Sequence, residues 1–212
     1  MKPLYNLSQV IHVSIQVNPN SPPWILSGIY ASPRIHERTV LWNELCNFAM
    51  QHNCLWLWLG DFNELLSSND KKGGRPVSRA RASVFKSVLD SCNMLDLGFT
   101  GPKYTWRCFK HNLGLIYERL DRAFCNPDWK TLFPEALVSH LTRVHSDHCP
   151  VLINLNPESS PRPFHSFILK KFWMVHLDFF NVVRESWIGP PTPILGDLSA
   201  LSSILKNWSK KN

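Results

Sequence analysis

The sequence contains no apolar run near the ~20 residues a membrane-spanning helix needs, and no hydrophobic core follows Met1-Lys2-Pro3-Leu4-Tyr5 as in a signal peptide. Six cysteines, at 46, 54, 92, 108, 125 and 149, include no Cys-x-x-Cys pair. That is the pattern of a reduced compartment rather than of a disulfide framework. Together these gaps lead us to expect an intracellular chain, nuclear or cytoplasmic, neither secreted nor membrane-bound. Two catalytic signatures are missing as well: no GxSxG nucleophile elbow and no GxxxxGKS phosphate loop. Ser146, Asp147 and His148 are consecutive, which disfavours the geometry of a Ser-His-Asp triad. His140, His145, His148 and Cys149 follow no usual zinc spacing.

What is present is globular in character. The chain has 212 residues, 44% hydrophobic and 18% charged, enough for one sizeable domain with something added. The formal net charge is +7, and it is unevenly spread. Residues 1–70 carry three Lys/Arg against five Asp/Glu, residues 71–130 twelve against five, and residues 131–212 eight against six. Within the middle third, KKGGRPVSRARASVFK (71–86) has six basic residues and no acid. A stripe of this kind suits a phosphate backbone, with Lys71, Lys72, Arg75, Arg79 and Arg81 as candidate nucleic-acid contacts. A solvated basic loop and helix face accounts for it equally well.

Periodicity sketches the elements. VIHVSIQV (10–17) alternates, with Ile11, Val13, Ile15 and Val17 predicted inward, and WILSGIY (24–30) continues as its hairpin partner. Ser32-Pro33 opens a predicted helix to about residue 51, with Val40, Leu41, Leu45 and Phe48 on one stripe. CLWLWL (54–59) is apolar on both faces and too short for a helix, which fits a central strand. Ser78 is placed to cap a helix ending at Cys92. Short strands are expected near 95–99, 104–109, 116–125, 136–142 and 149–155, with a turn at HNLG (111–114) and a short helix after Asn126. The expected organisation is a domain over 1–155, a linker over 156–171 and a helical connector over 172–212, with helices at 172–188 and 194–208.

Four stretches carry possible chemistry. In GDFN (60–63), Gly60 permits a sharp exit from the strand, and residues two apart on an extended chain face the same way, so Asp61 and Asn63 would share one site while Phe62 returns to the core. A carboxylate activates a water and a carboxamide positions it without adding charge; an Asp/Asn turn fits the same residues. In HSDHCPVLINL (145–155), Asp147 and His148 precede an apolar strand, where an imidazole can donate to a phosphoryl oxygen; an ordinary polar loop is the alternative. In YERLDRAF (117–124), Asp121 lies between Arg119 and Arg122, fit either to orient a histidine or to form a surface ion pair. In GIYASP (28–33), Tyr30 ends a strand, where its phenol can reach a phosphate or simply fill the strand.

In this order, YxSP, GDFN, ERLDR and SDHCP resemble the endonuclease/exonuclease/phosphatase superfamily, the group of the apurinic/apyrimidinic endonucleases. GDFNELL, the GGRP loop, CNMLDLGFTGPKYTW (92–106), ERLDRAFCNPDW and RVHSDHCPV look most like the endonuclease domain of plant LINE-type (non-LTR) retrotransposons. PRPFHSFILKKFWMVHLDFFNVVRESW resembles the connector that follows it. The resemblance implies an α/β fold, a four-layered sandwich of two mostly antiparallel sheets with outer helices (DNase I-like). It also implies Mg²⁺-dependent nicking of DNA, with a reverse transcriptase segment or element RNA as further partners. By the same likeness Asp61 aligns or deprotonates the attacking water beside Asn63, and His148 binds the scissile phosphate. Asp121 orients His148, Asp147 lies at the metal, and Tyr30 contacts the phosphate. The family's first two strands, one bearing an Asn and one a metal-binding Glu, have no counterpart in this sequence. The expectation is therefore a domain lacking its N-terminal part, absent or impaired in cleavage as these 212 residues, with a non-catalytic nucleic-acid-binding remnant acting through 71–86 as the alternative.

Overall fold

Trp56 and Trp58 lie in one hydrophobic cluster and Leu57, between them, in another. That alternation along a single strand organises the domain, because successive side chains of a strand leave opposite faces of its sheet. The computed structural model describes residues 2–6, 8–157, 178–186, 201, 204, 205 and 208. In chain order the elements are β1 (Lys2–Asn6), β2 (Val10–Ile15), β3 (Trp24–Tyr30), α1 (Ile35–Gln51), β4 (Trp56–Asp61), β5 (Lys71–Lys72), α2 (Arg79–Ser91) and β6 (Leu95–Asp96). They continue as β7 (Trp106–Lys110), β8 (Gly114–Glu118), β9 (Asp121–Cys125), α3 (Pro127–Leu132), β10 (Leu137–His140), β11 (Val151–Asn154) and α4 (Phe179–Ser186).

Contacts divide the chain into two units, Met1–Ser160 and Pro161–Asn212. The first holds a six-stranded sheet ordered β1-β2-β3-β4-β9-β6, a three-stranded sheet β5-β8-β7 and the pair β10-β11. The pairings are antiparallel except β3 with β4, and α1 is the crossover that a parallel pair requires. One face of the large sheet packs Trp56, Trp58 and Phe124 against Leu41, Trp42 and Leu45 of α1 and Phe85, Val88 and Leu89 of α2. The other packs Leu57 and Cys125 against Trp24, Trp129 of α3 and Ile153 of β11. The fold is thus α/β, mixed sheets layered with helices. Of the second unit, Phe179 and Leu205 are buried together, with Val182, Val183, Leu201 and Trp208 packed against them. The rest of the expected linker and connector, and most of the helices at 172–188 and 194–208, lies outside the described residues. Among the described residues no helix is long and apolar enough to cross a membrane.

Four expectations change. In β2 the inward residues are Val10 and His12, and Ile11 is exposed. The imidazole replaces an aliphatic side chain because it stacks on Phe48 (ring centroids 4.1 Å apart) and its Nδ1 lies 2.6 Å from Ser27 Oγ. Burial drives its pKa down to about 4, so it sits there neutral. In α1, Val40 faces solvent and Arg38 and Trp42 face inward. The stretch 116–125 is two strands in different sheets, because the amides of Arg119 and Leu120 bond Asp70 O (2.9 Å) and Thr105 Oγ1 (3.0 Å) instead of continuing a ladder. Gly60 does not release the strand; it lets β3 come close. A Cβ there would stand 1.9 Å from the Ile29 carbonyl oxygen, at φ +150°.

Candidate functional site

The parallel pairing of β3 with β4 sets Tyr30 beside Asp61, and the antiparallel pairing of β4 with β9 sets Asp121 opposite Asp61. Three of the four singled-out stretches therefore end at one edge of the large sheet. The fourth arrives through the segment between β10 and β11: His148 forms a single β-bridge with Trp106, and its Nδ1 lies 2.9 Å from Asp121 Oδ2. A carboxylate only accepts, so Nδ1 carries the hydrogen and Nε2 is the ring nitrogen left for a ligand. One donor atom from each of Asp61, Asp121 and His148 falls within a 4.8 Å span.

Asp61 and Asn63 do meet, but not through an extended chain. Asn63 has a left-handed φ of +46°. Its amide donates to Asp61 Oδ1 (2.9 Å), and its side-chain Nδ2 donates to Asp61 Oδ2 (3.0 Å) and to the Ala31 carbonyl (2.8 Å). The turn thus forms and also holds the carboxylate. Both Nδ2 hydrogens are used, so Asn63 offers a site ligand only its Oδ1, an acceptor. Phe62 is fully buried as expected.

The electrostatics divide the groups into two kinds. Burial raises the Asp61 pKa to about 6; the Asn63 amide opposes that rise and the Asp121 charge adds to it. His148 is shifted upward, first by its hydrogen bond to Asp121 and then by the charges of Asp121, Asp61 and Asp147, against its own burial. Two carboxylates facing each other fit a hard divalent cation, which takes one or two carboxylates and completes its shell with water or phosphate oxygens.

Other expected residues stand differently. Tyr30 shares the sheet edge, and its side chain is largely exposed. Asp147 is outside the donor cluster: its Oδ2 accepts from the Trp106 indole at 3.0 Å, and its carbonyl accepts from the Arg107 amide at 3.0 Å. Arg119 and Arg122 do not form a surface pair with Asp121. Both are buried and pair with Asp96, Arg122 also with Asp70.

The basic stripe lines a cleft of about 630 Å³ that includes Ser67, Gly74, Arg75, Arg79, Ser83 and Lys86. Leu66, also on its wall, is three residues beyond Asn63, so about 11 Å is the most that can separate their Cα atoms. Two of the expected phosphate contacts are already engaged: Lys71 pairs with Glu118, and Arg81 bonds Glu64 through Nε (2.9 Å) and Nη2 (3.0 Å). Lys72, Arg75 and Arg79 are exposed, with Lys86 beside them. Glu64 also receives the buried Arg38, at 3.0 Å. Sequence reading missed this Arg38–Glu64–Arg81 group and also Thr105. Their partners lie 26, 17 and 15 residues away, beyond the reach of any local pattern.

No protein-family model matches the chain, and no curated protein matches it. Solved structures do. The endonuclease domain of TRAS1, a telomere-specific non-LTR retrotransposon, superposes with a TM-score of 0.54 at 19% identity, over 69% of this chain and 63% of that one. The AP endonuclease LMAP from Leishmania major superposes with a TM-score of 0.52 at 18% identity, over 68% of this chain and 53% of that one. The chain thus spans between about half and two thirds of the length of these two structures. It shares the α/β fold of these two nucleases, with mixed sheets and outer helices.

Proposed function

We propose that this chain carries the water-activating and phosphate-binding groups of a phosphodiester hydrolase acting on DNA, derived from a non-LTR retrotransposon of LINE type. The observation that supports this most is the meeting of Asp61, Asp121 and His148 donor atoms within 4.8 Å, beside Asn63. Asp61, with a pKa near 6, takes a proton from water at neutral pH. Asn63 Oδ1 accepts the water's other hydrogen and aims its lone pair. His148, held by Asp121 and shifted toward its cationic form by that hydrogen bond and the nearby carboxylates, donates to the phosphoryl oxygen where negative charge grows. Tyr30 contacts the same phosphate from the neighbouring strand. Asp121, with water and phosphate oxygens, would hold Mg²⁺ and leave Asp61 to accept the proton; the cation when bound neutralises phosphoryl charge. Asp147 serves by fixing the His148 loop through Trp106. Arg75, Arg79 and Lys86 take backbone phosphates away from the scissile bond.

The test is nicking of supercoiled plasmid by the purified chain with Mg²⁺. Cleavage that disappears in both Asp61→Ala and His148→Ala supports the reading, even if it is slow. Tight, salt-sensitive DNA binding with no cleavage at any Mg²⁺ concentration rejects it. That outcome favours the second reading, a non-catalytic DNA-binding remnant, for which the basic cleft is the specific support.

A further inference from the structure

Both arms of the Asp121–His148 pair are bonded to one residue, Thr105. Its hydroxyl oxygen accepts the amides of Leu120 and Asp121, each at 3.0 Å. Its carbonyl oxygen accepts the amide of Cys149, next to His148, at 2.7 Å. Thr105 is fully buried, so water does not substitute for these bonds. We propose that Thr105 is a positioning residue, whose hydroxyl sets the start of β9 and whose carbonyl sets the His148 loop, so that imidazole and carboxylate meet at hydrogen-bonding distance.

The surroundings support this. The Leu120 amide is spent on Thr105 rather than on Phe62, whose own amide donates to the Leu120 carbonyl at 3.0 Å, at the point where the chain leaves the three-stranded sheet for the six-stranded one. The ladder sets the register of Asp121 against Asp61, and Thr105 holds the two amides that the ladder leaves over, those of Leu120 and Asp121. On the other arm, the Cys149–Thr105 bond is one half of the bridge between His148 and Trp106, the other half being the bond from the Arg107 amide to the Asp147 carbonyl at 3.0 Å. Arg143 Nη2 donates to the same Thr105 carbonyl at 3.1 Å, closing the loop that carries His148 onto this point. Two hydroxyl lone pairs serve two amides, so an isosteric valine strands both in a buried place. The loss then reaches the catalytic pair through the backbone, with no contact between Thr105 and the reacting atoms. Only the catalytic consequence rests on the hydrolase reading; the geometric claim stands apart from it.

The experiment follows the His148 Nδ1–H resonance in the full chain labelled with ¹⁵N-histidine, assigned by its disappearance in His148→Gln. Wild type and Thr105→Ser, which keeps the hydroxyl, are expected to show this resonance protected from solvent exchange. Thr105→Val is expected to lose it while the remaining histidines keep their signals. In plasmid nicking, Thr105→Val is expected to lower kcat about 10- to 100-fold at unchanged KM, the usual result of a misplaced group, and Thr105→Ser to restore it. A valine variant with a lower Tm but an intact His148 resonance overturns the proposal, since the hydroxyl would then serve stability alone. A serine variant that behaves like valine overturns it too. If the valine variant does not fold, Thr105→Cys keeps the volume with only a weak acceptor, and its comparison with Thr105→Ser decides. A wild-type chain that cleaves nothing sinks the hydrolase reading and leaves this test intact, because the resonance needs no turnover. An unchanged resonance sinks the role of Thr105 and leaves the hydrolase reading standing.

Discussion

His148 Nδ1 and Asp121 Oδ2 lie 2.9 Å apart, although the two residues are 27 positions apart in the chain. The contact fixes the imidazole tautomer and raises its pKa. Asp121→Asn removes the charge and offers an amide in its place. His148 should then titrate lower, toward the ordinary value of 6.5, and nicking should fall by about 10²- to 10⁴-fold. Imidazole ¹H NMR against pH, with kcat measured in parallel, checks both.

Activity should depend on pH through two groups. Asp61 must be ionised to accept a proton, so the rate should drop below about pH 6. His148 must stay protonated to serve the phosphate, so the rate should drop again above its raised pKa. A bell-shaped profile of kcat/KM is expected, and Asp61→Asn should abolish cleavage instead of shifting the acid limb.

The same two shifts set the stability profile. The folded pKa of Asp61 is raised from 3.8 to about 6, so its favourable contribution is whole below pH 3.8 and is lost as pH rises through 6. The loss is of the order of 3 kcal/mol. The contribution of His148, also raised, is whole below 6.5 and is lost as pH rises through its folded value. Urea melts should therefore show wild type weakening from mildly acid to alkaline pH, and Asp61→Asn should be more stable than wild type at pH 8 but not at pH 4.

Glu64 should matter for folding rather than for chemistry. It faces Arg38, whose side chain is 2% exposed, and also holds Arg81. Glu64→Ala leaves a buried guanidinium with only the Ser32 carbonyl for company. A loss of about 3–5 kcal/mol is expected, read as a lower denaturation midpoint. Replacing Arg38 by Met together with Glu64→Leu should recover much of it, because the uncompensated charge is then gone.

DNA affinity should follow the cleft rather than the whole stripe. Changing Arg75, Arg79 and Lys86 to Gln should reduce the slope of log affinity against log salt by about 2 to 3, roughly 0.9 for each phosphate that is no longer neutralised. Changing Arg81, already bound to Glu64, should leave that slope nearly unchanged. Fluorescence anisotropy over a salt series distinguishes the two.

Much of the fold was legible locally. CLWLWL marks a central strand because both its faces are apolar. Ser78 and Asn126 each cap the helix that follows, their side chains accepting from Arg81 N and Trp129 N. Misreadings came where a polar residue was buried with a distant partner. Alternation puts His12 on the face opposite Ile11 and Val13, yet Phe48 and Ser27 make it an inward residue. Arg38 was invisible on the α1 stripe because its partner, Glu64, lies on another element.

The sequence by itself determined the alternation that builds the strands and helices, the caps and turns that end them, and the four polar stretches worth watching, since all of these depend on neighbours a few residues away. Only the tertiary structure decided that those stretches share an edge, that Asp147 stands aside and that Lys71 and Arg81 are already paired. Strand register and ion pairing are long-range choices. They are set when β4 lies against β3 and β9 and the chain between β10 and β11 closes onto Thr105, and no local window contains both partners of any of them.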